Sequence, residues 1–139
     1  MDAKLLQLIE GISVCHLTTH STEGGLRSRP MATLDSDGEA LWFFTRAAGG
    51  KVSEIEENEA VNLAYASPEK NSYASVSGHA QLVNNPAKVK ELWRPEHRAW
   101  FPKGIEDPEL GLLKVTVEKA EIWDGPHGGE EGEHRKVKA

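Results

Sequence analysis

Arg27, Arg29, Thr45 and Lys51 fall close together in the chain and are the residue types that hold a phosphate. A guanidinium matches phosphate oxygens bidentately, a lysine acts as a point charge, and a hydroxyl adds a neutral donor. Arg27, Arg29 and Met31 alternate with Ser28, Pro30 and Ala32, so a strand puts both guanidiniums on one face. Gly49 and Gly50 precede Lys51. A glycine loop at a helix start presents free backbone N–H groups and the positive end of the helix dipole. Taken singly, each cation also fits a solvated surface charge; the spacing is what points to an anion.

These residues need a strand, a hairpin, a second strand and a helix to position them. Asp37-Gly38 supplies the tight turn after the arginine strand. The return strand, Ala40 to Thr45, is apolar on both faces and aromatic, as expected of a strand buried on two sides or facing a flat ligand. Val52 and Ile55 give the following segment, Val52 to Glu57, helical spacing. Pro30 lies inside the arginine strand and cannot donate to a ladder, so pairing there is interrupted or open on one side.

The flanking chain supplies the frame. Leu5, Leu6 and Ile9 predict a short amphipathic helix ended by Gly11, and Ile12 to Thr19 a first strand. Further strands are predicted at Ala60–Ala66, Tyr73–Val83 and Leu110–Trp123, the last with a bulge near Glu118 where the parity of apolar residues changes. Asn85-Pro86 opens a helix through Val89 and Leu92-Trp93, with Asn85 as N-cap. From Trp93 to Gly104 aromatics sit between prolines, a pattern for a shaped loop covering something rather than an amphipathic helix. It is either a satellite hydrophobic cluster or a wall for a planar ring.

The chain has 139 residues, the size of one domain, and such a domain buries about two-thirds of its unfolded surface. Residues 1–124 are expected to form that domain, and 125–139, rich in Gly, His, Glu and Lys, a polar C-terminal tail. A net charge of −6 argues against nucleic-acid binding, which needs a basic stripe, but leaves a locally cationic pocket open. Cys15 is the one cysteine and no apolar run is long enough to cross a membrane, so the expected location is cytoplasmic, without a membrane partner. His127 and His134 match no metal-ligand spacing, and no metal is expected. A Gly-x-Ser-x-Gly elbow is absent from the sequence, so hydrolysis is not favoured.

Arg-Ser-Arg-Pro-Met at 27–31, Leu-Trp-Phe-Phe-Thr at 41–45 and Lys51 resemble the general stress protein 26 group of the pyridoxamine 5′-phosphate oxidase-like family, the FMN-binding split β-barrels. The resemblance runs from about Leu5 to Asp124. It implies a mainly β fold with short helices, a split barrel of six to seven antiparallel strands, and a homodimer with FMN in clefts at the subunit interface. Carried onto this sequence, Arg29 and Lys51 clamp the phosphate, with Thr45 adding its hydroxyl and Arg27 in reserve. Ser28, Pro30, Met31, Phe43, Phe44 and Gly50 complete the expected cofactor contacts, backbone groups around Pro30-Met31 and Phe43-Phe44 meeting the ring edge. Trp100 is expected as a ring wall from the opposite subunit, with Trp123 as the alternative.

A homodimer is also expected from the aromatics Trp42, Phe44, Trp93, Trp100 and Phe101, a surplus for one small core. The implied activity is a flavin-dependent oxidoreductase on an unidentified small molecule, with a reduced nicotinamide as a candidate donor and no catalytic residue assignable. The competing possibility is a non-catalytic flavin-binding or sensing stress protein. The short chain lacks the further basic and histidine residues that grip pyridoxal phosphate in the oxidase itself. FAD, haem or a deazaflavin are the remaining alternatives for the cofactor.

Overall fold

The computed structural model describes residues 1–38, 40–125 and 133–138, the side chains of 133–135 and 138 excepted. Helix α1 spans Ala3–Gly11, and the Asp2 carboxylate caps it by accepting from the backbone N–H groups of Lys4 and Leu5 at 2.9 and 3.1 Å. Its Leu5, Leu8 and Ile9 are buried. Strands β1 (Val14–His20), β2 (Leu26–Ala32), β3 (Asp35–Asp37) and β4 (Ala40–Arg46) lead to helix α2 (Gly50–Glu57). Then come β5 (Ala60–Ser67), β6 (Ser72–Val83), helix α3 (Pro86–Leu92) and β7 (Leu110–Asp124), and β8 (Glu133–Lys138) closes the order. The mainly β class with short helices is as expected.

Among the described residues all eight strands join one antiparallel sheet, in the order β2-β1-β5-β6-β7-β4-β3 with β8 on β7. The core lies inside this curled sheet. Leu17, Leu41, Phe43, Leu63, Tyr65, Val76, Leu113, Val115 and Ile122 are almost wholly excluded from solvent there. The long strands β6 and β7 make the curl possible through a bulge: Ser77 pairs with Lys119 and Gly78 with Val117, leaving Glu118 as the extra residue. Glycine is required at 78, since a Cβ there would lie 2.0 Å from the Thr116 carbonyl oxygen.

Two expectations change. Part of the segment expected as a solvated tail forms β8, whose backbone pairs with the Lys119–Asp124 end of β7; polar composition hid a strand that depends on a neighbour's free edge. The aromatics are not a surplus left exposed either. Trp42 and Phe101 are buried, Phe44 and Trp93 are half-buried, and only Trp100 of the five is open to solvent. A second apolar cluster formed by Ala40, Trp42, Leu92 and Leu112 with Leu34, Phe44, Val83 and Val89 takes up the outer face of β4. Helix α3 and the connection after it supply its cover, which a count against one core overlooks.

The sheet does not close between its two ends. Among the described residues strand β2 pairs with β1 alone, which puts Pro30 on an edge strand, where a sheet tolerates a residue without an N–H. At the other end β3 pairs with β4 over residues 40–42, so from Phe43 onward that side of β4 carries no strand among the described residues. Thr33 and Leu34 span the two ends, anchored by the 2.7 Å contact between the Thr33 and Tyr65 hydroxyls and by the Leu34 N–H donating to the Trp42 carbonyl.

Candidate functional site

A cleft of about 500 Å³ lies in this split. Val14, Pro30, Met31, Ala32 and Leu34 line it from β1, β2 and the segment after it; Phe44, Thr45 and Arg46 from β4; and Glu96, His97, Trp100 and Phe101 from the connection after α3. Its size and largely apolar lining are those of a small-molecule site.

The cations lie on the β2 side. Register places Arg27 opposite Thr19 and Arg29 opposite Leu17 on β1, and both guanidiniums turn toward α2. The buried Glu54 carboxylate receives them: Arg29 Nη2 donates to Oε1 at 2.8 Å and Arg27 Nη1 to Oε2 at 3.2 Å. The Thr19 hydroxyl donates to Oε1 at 2.9 Å and accepts from Arg29 Nη1 at 2.8 Å. Burial pushes the Glu54 carboxyl up, but the Thr19 hydrogen bond and the two guanidiniums outweigh it and hold the group below its ordinary value, hence ionised. The arginines differ in freedom. The Arg29 side chain is 18% exposed and doubly held, whereas that of Arg27 is 59% exposed, holds one bond and lies across Gly50 at the start of α2.

Lys51 stands apart from this network. Its Nζ lies 3.1 Å from the sulfur of the cleft residue Met31, and among the described residues no carboxylate is within ion-pair distance of it. Burial, and then the charge of Arg29, push it down to about 8. A desolvated ammonium without a counterion is costly and gains from any anion brought beside it.

The opposite wall is aromatic. Phe44 meets His97 edge-on, centroids 5.0 Å apart, and Trp93 and Phe101 at 6.0 and 6.4 Å. A 3₁₀ turn, Pro95–Ala99, carries His97. Arg46 ties this wall to β4, binding Glu109 at 2.8 Å and the Trp100 carbonyl at 3.2 Å while its guanidinium stacks over Phe101.

Of the residues expected at the site, Pro30, Met31, Phe44, Thr45 and Trp100 line this one cleft, and Arg27, Arg29, Gly50 and Lys51 gather at its cationic side. Ser28 alternates onto the other face of β2 and is exposed. The Phe43 side chain is buried in the core, leaving only its backbone to the open edge of β4. Trp100, 59% exposed, lines the cleft of its own chain, where the opposite subunit was the expected source. Trp123 lies twelve positions along β7 from Gly111, the partner of Thr45, roughly 40 Å of strand. His127 falls outside the described residues, as does the side chain of His134.

Sequence reasoning missed Glu54, Thr19, His97 and Arg46. Two arginines on one strand face demand a counterion, and a glutamate in the next helix was the available signal for Glu54. The others come together only through register and the path of the long connection.

The residues fit a flat conjugated ring with an anionic tail. Among the described residues Thr45 offers a buried hydroxyl with no hydrogen-bond partner and Lys51 lacks a carboxylate partner, and apart from Arg46, Glu96 and His97 the rest of the lining is apolar or aromatic. Residues 1–136 match the family described as pyridoxamine 5′-phosphate oxidase like. Protein bli-3 of Neurospora crassa is 32% identical over 110 residues, 72% of this chain and 53% of that protein, so the chain spans about half the length of this curated relative. A solved structure from Clostridium acetobutylicum, described as related to general stress protein 26, superposes with a TM-score of 0.82 over 99% of this chain and 96% of that one, at 21% identity. The general stress FMN/FAD binding protein of Xanthomonas citri gives 0.77 at 29% identity, over 87% and 86%.

Proposed function

Because the chain belongs to the pyridoxamine 5′-phosphate oxidase-like family, we propose that it is a flavoprotein that holds FMN in the cleft between β2 and β4. Lys51 carries this reading, as a partly buried, uncompensated ammonium beside an apolar aromatic cleft. The FMN/FAD binding named for the X. citri protein supports a flavin. The phosphate end rests on charge: Arg27, Arg29 and Lys51 against Glu54 are three cations and one anion, a net of two positive charges. A phosphate monoester carries between about one and a half and two negative charges at neutral pH.

Lys51 is the principal phosphate ligand, and the Thr45 hydroxyl adds a donor. Arg27, the freer guanidinium, turns to the phosphate more readily than Arg29, which Thr19 and Glu54 hold in place. The backbone of Pro30-Met31 and the open edge of β4 at Phe43-Phe44 meet the ring, and Trp100 covers it from solvent. Trp123 reaches a cleft only from a second copy, consistent with the homodimer that is part of this proposal.

When bound, the flavin supplies the redox chemistry, and the protein supplies orientation, a water-poor site and charge. The function that follows is oxidoreduction of a small molecule in the cytoplasm, with a reduced nicotinamide as donor. The test is the absorbance spectrum of the purified protein with mass identification of the ligand released on denaturation, followed by anaerobic addition of a reduced nicotinamide. FMN released and then bleached by the nicotinamide is the expected result. FMN that stays oxidised would make the protein a flavin store or sensor, and haem or no flavin would overturn the proposal. Light scattering of the loaded protein should give a dimer.

A further inference from the structure

We propose that His97 is the hydrogen-bond donor that reads a ring carbonyl oxygen on a flat conjugated molecule in the aromatic half of the cleft. The inference rests on the cleft being a ligand site. His97 lines it together with Phe44, Trp100 and Phe101. Its Nδ1 accepts the backbone N–H of Arg94 at 2.9 Å, which makes Nδ1 the unprotonated nitrogen and leaves the N–H on Nε2. Among the described residues Nε2 has no hydrogen-bond partner.

The ring cannot turn freely, since Phe44 meets it edge-on at 5.0 Å and Trp93 packs on it at 5.4 Å. A neutral N–H fixed by packing, among walls that otherwise offer π faces, selects a planar partner with an acceptor oxygen. The other polar groups lining this half are less available: Arg46 is held by Glu109 and by the Trp100 carbonyl, and Glu96 is an acceptor already in solvent. With Nδ1 occupied by the Arg94 N–H, the ring has its Nε2 hydrogen bond to give, so His97 positions the partner.

The carbonyl could belong to the flavin ring or to a second molecule such as a quinone, and the experiment separates these sources. His97→Phe keeps the aromatic packing and removes the donor; His97→Gln restores a donor at similar reach. Each is titrated with riboflavin, and with a naphthoquinone against naphthalene as the ring-matched control, using both FMN-loaded and ligand-free protein. Loss of one neutral hydrogen bond corresponds to about a fivefold weakening. The phenylalanine variant should weaken riboflavin, if the flavin is the source, or the naphthoquinone, if a second molecule is, with naphthalene unchanged and the glutamine variant recovering most of the loss. Both carbonyl ligands unchanged, or naphthalene weakened equally, would overturn the assignment. Wild-type protein that takes up no FMN would refute the flavin reading alone, because the ligand-free quinone titration still tests His97.

Discussion

The two walls of the cleft hold their functional groups by different physical means. On the β2 side, charges hold one another: Glu54 fixes Arg29 and Arg27, Thr19 bridges Arg29 and Glu54, and Lys51 is left over without a counterion among the described residues. On the other side, Phe44, Trp93, His97 and Phe101 are held by ring packing, and Trp100 projects into solvent. A buried charge network is stiff and fails abruptly when one member is removed, because the remaining charge is stranded in a poor solvent. Packed rings degrade in proportion to the area lost. The cationic wall therefore couples binding to folding, and the aromatic wall does so much less.

The largest break in that contrast is expected from Glu54→Gln. It strands the guanidinium of Arg29, and it should cost the ligand-free protein on the order of 3 kcal/mol in chemical denaturation; mostly solvated Arg27 adds little. A loss under about 1 kcal/mol would mean that the network is surface-like after all.

Lys51→Ala separates binding from folding on the same wall. FMN should weaken about ten- to a hundredfold by titration, as expected for a lost charge-assisted hydrogen bond. Riboflavin, with the same ring and no phosphate, should hold its affinity, and the ligand-free protein should be no less stable because a desolvated ammonium has gone. Equal losses for both ligands would move Lys51 from the phosphate to the ring site or the fold.

The pH dependence follows with opposite signs for folding and binding. Lys51 is held at about 8 against an ordinary value of 10.5, so between these values the unfolded chain binds more protons. Its contribution to ligand-free stability then rises with pH through that window. Phosphate affinity instead falls as pH climbs past about 8, up to roughly tenfold per unit while the lysine alone sets it. Both slopes should vanish in Lys51→Ala; an FMN affinity flat from pH 7 to 10 in the unaltered protein would remove the lysine from the phosphate.

Trp100→Ala should have the smallest effect. At 59% exposure its removal is expected to shift ligand-free stability by no more than about 0.5 kcal/mol, while flavin affinity drops about fivefold through lost stacking area. A melting temperature that falls with no change in flavin affinity would make it a packing residue.

Local chemistry alone determined a good part of this protein. The alternation of Arg27, Arg29 and Met31, the turn at Asp37-Gly38, the cap at Asn85-Pro86 and the parity change near Glu118 each depend on a few neighbouring residues, and the strands, α3 and the bulge formed where those signals lie. Pro30, Met31, Phe44, Thr45 and Trp100, grouped through the family resemblance rather than by local chemistry, line one cleft. Tertiary structure decided what each functional group faces. Glu54 became the arginines' counterion because α2 lies over β1, within reach of the arginine side chains of β2, Trp100 entered its own chain's cleft because the long connection folds back on β4, and part of a polar tail became β8 because β7 offered it an edge. Backbone propensity acts over a turn or two of chain, whereas ion pairing, ring packing and edge pairing join residues from distant parts of the sequence and exist only once the sheet has curled.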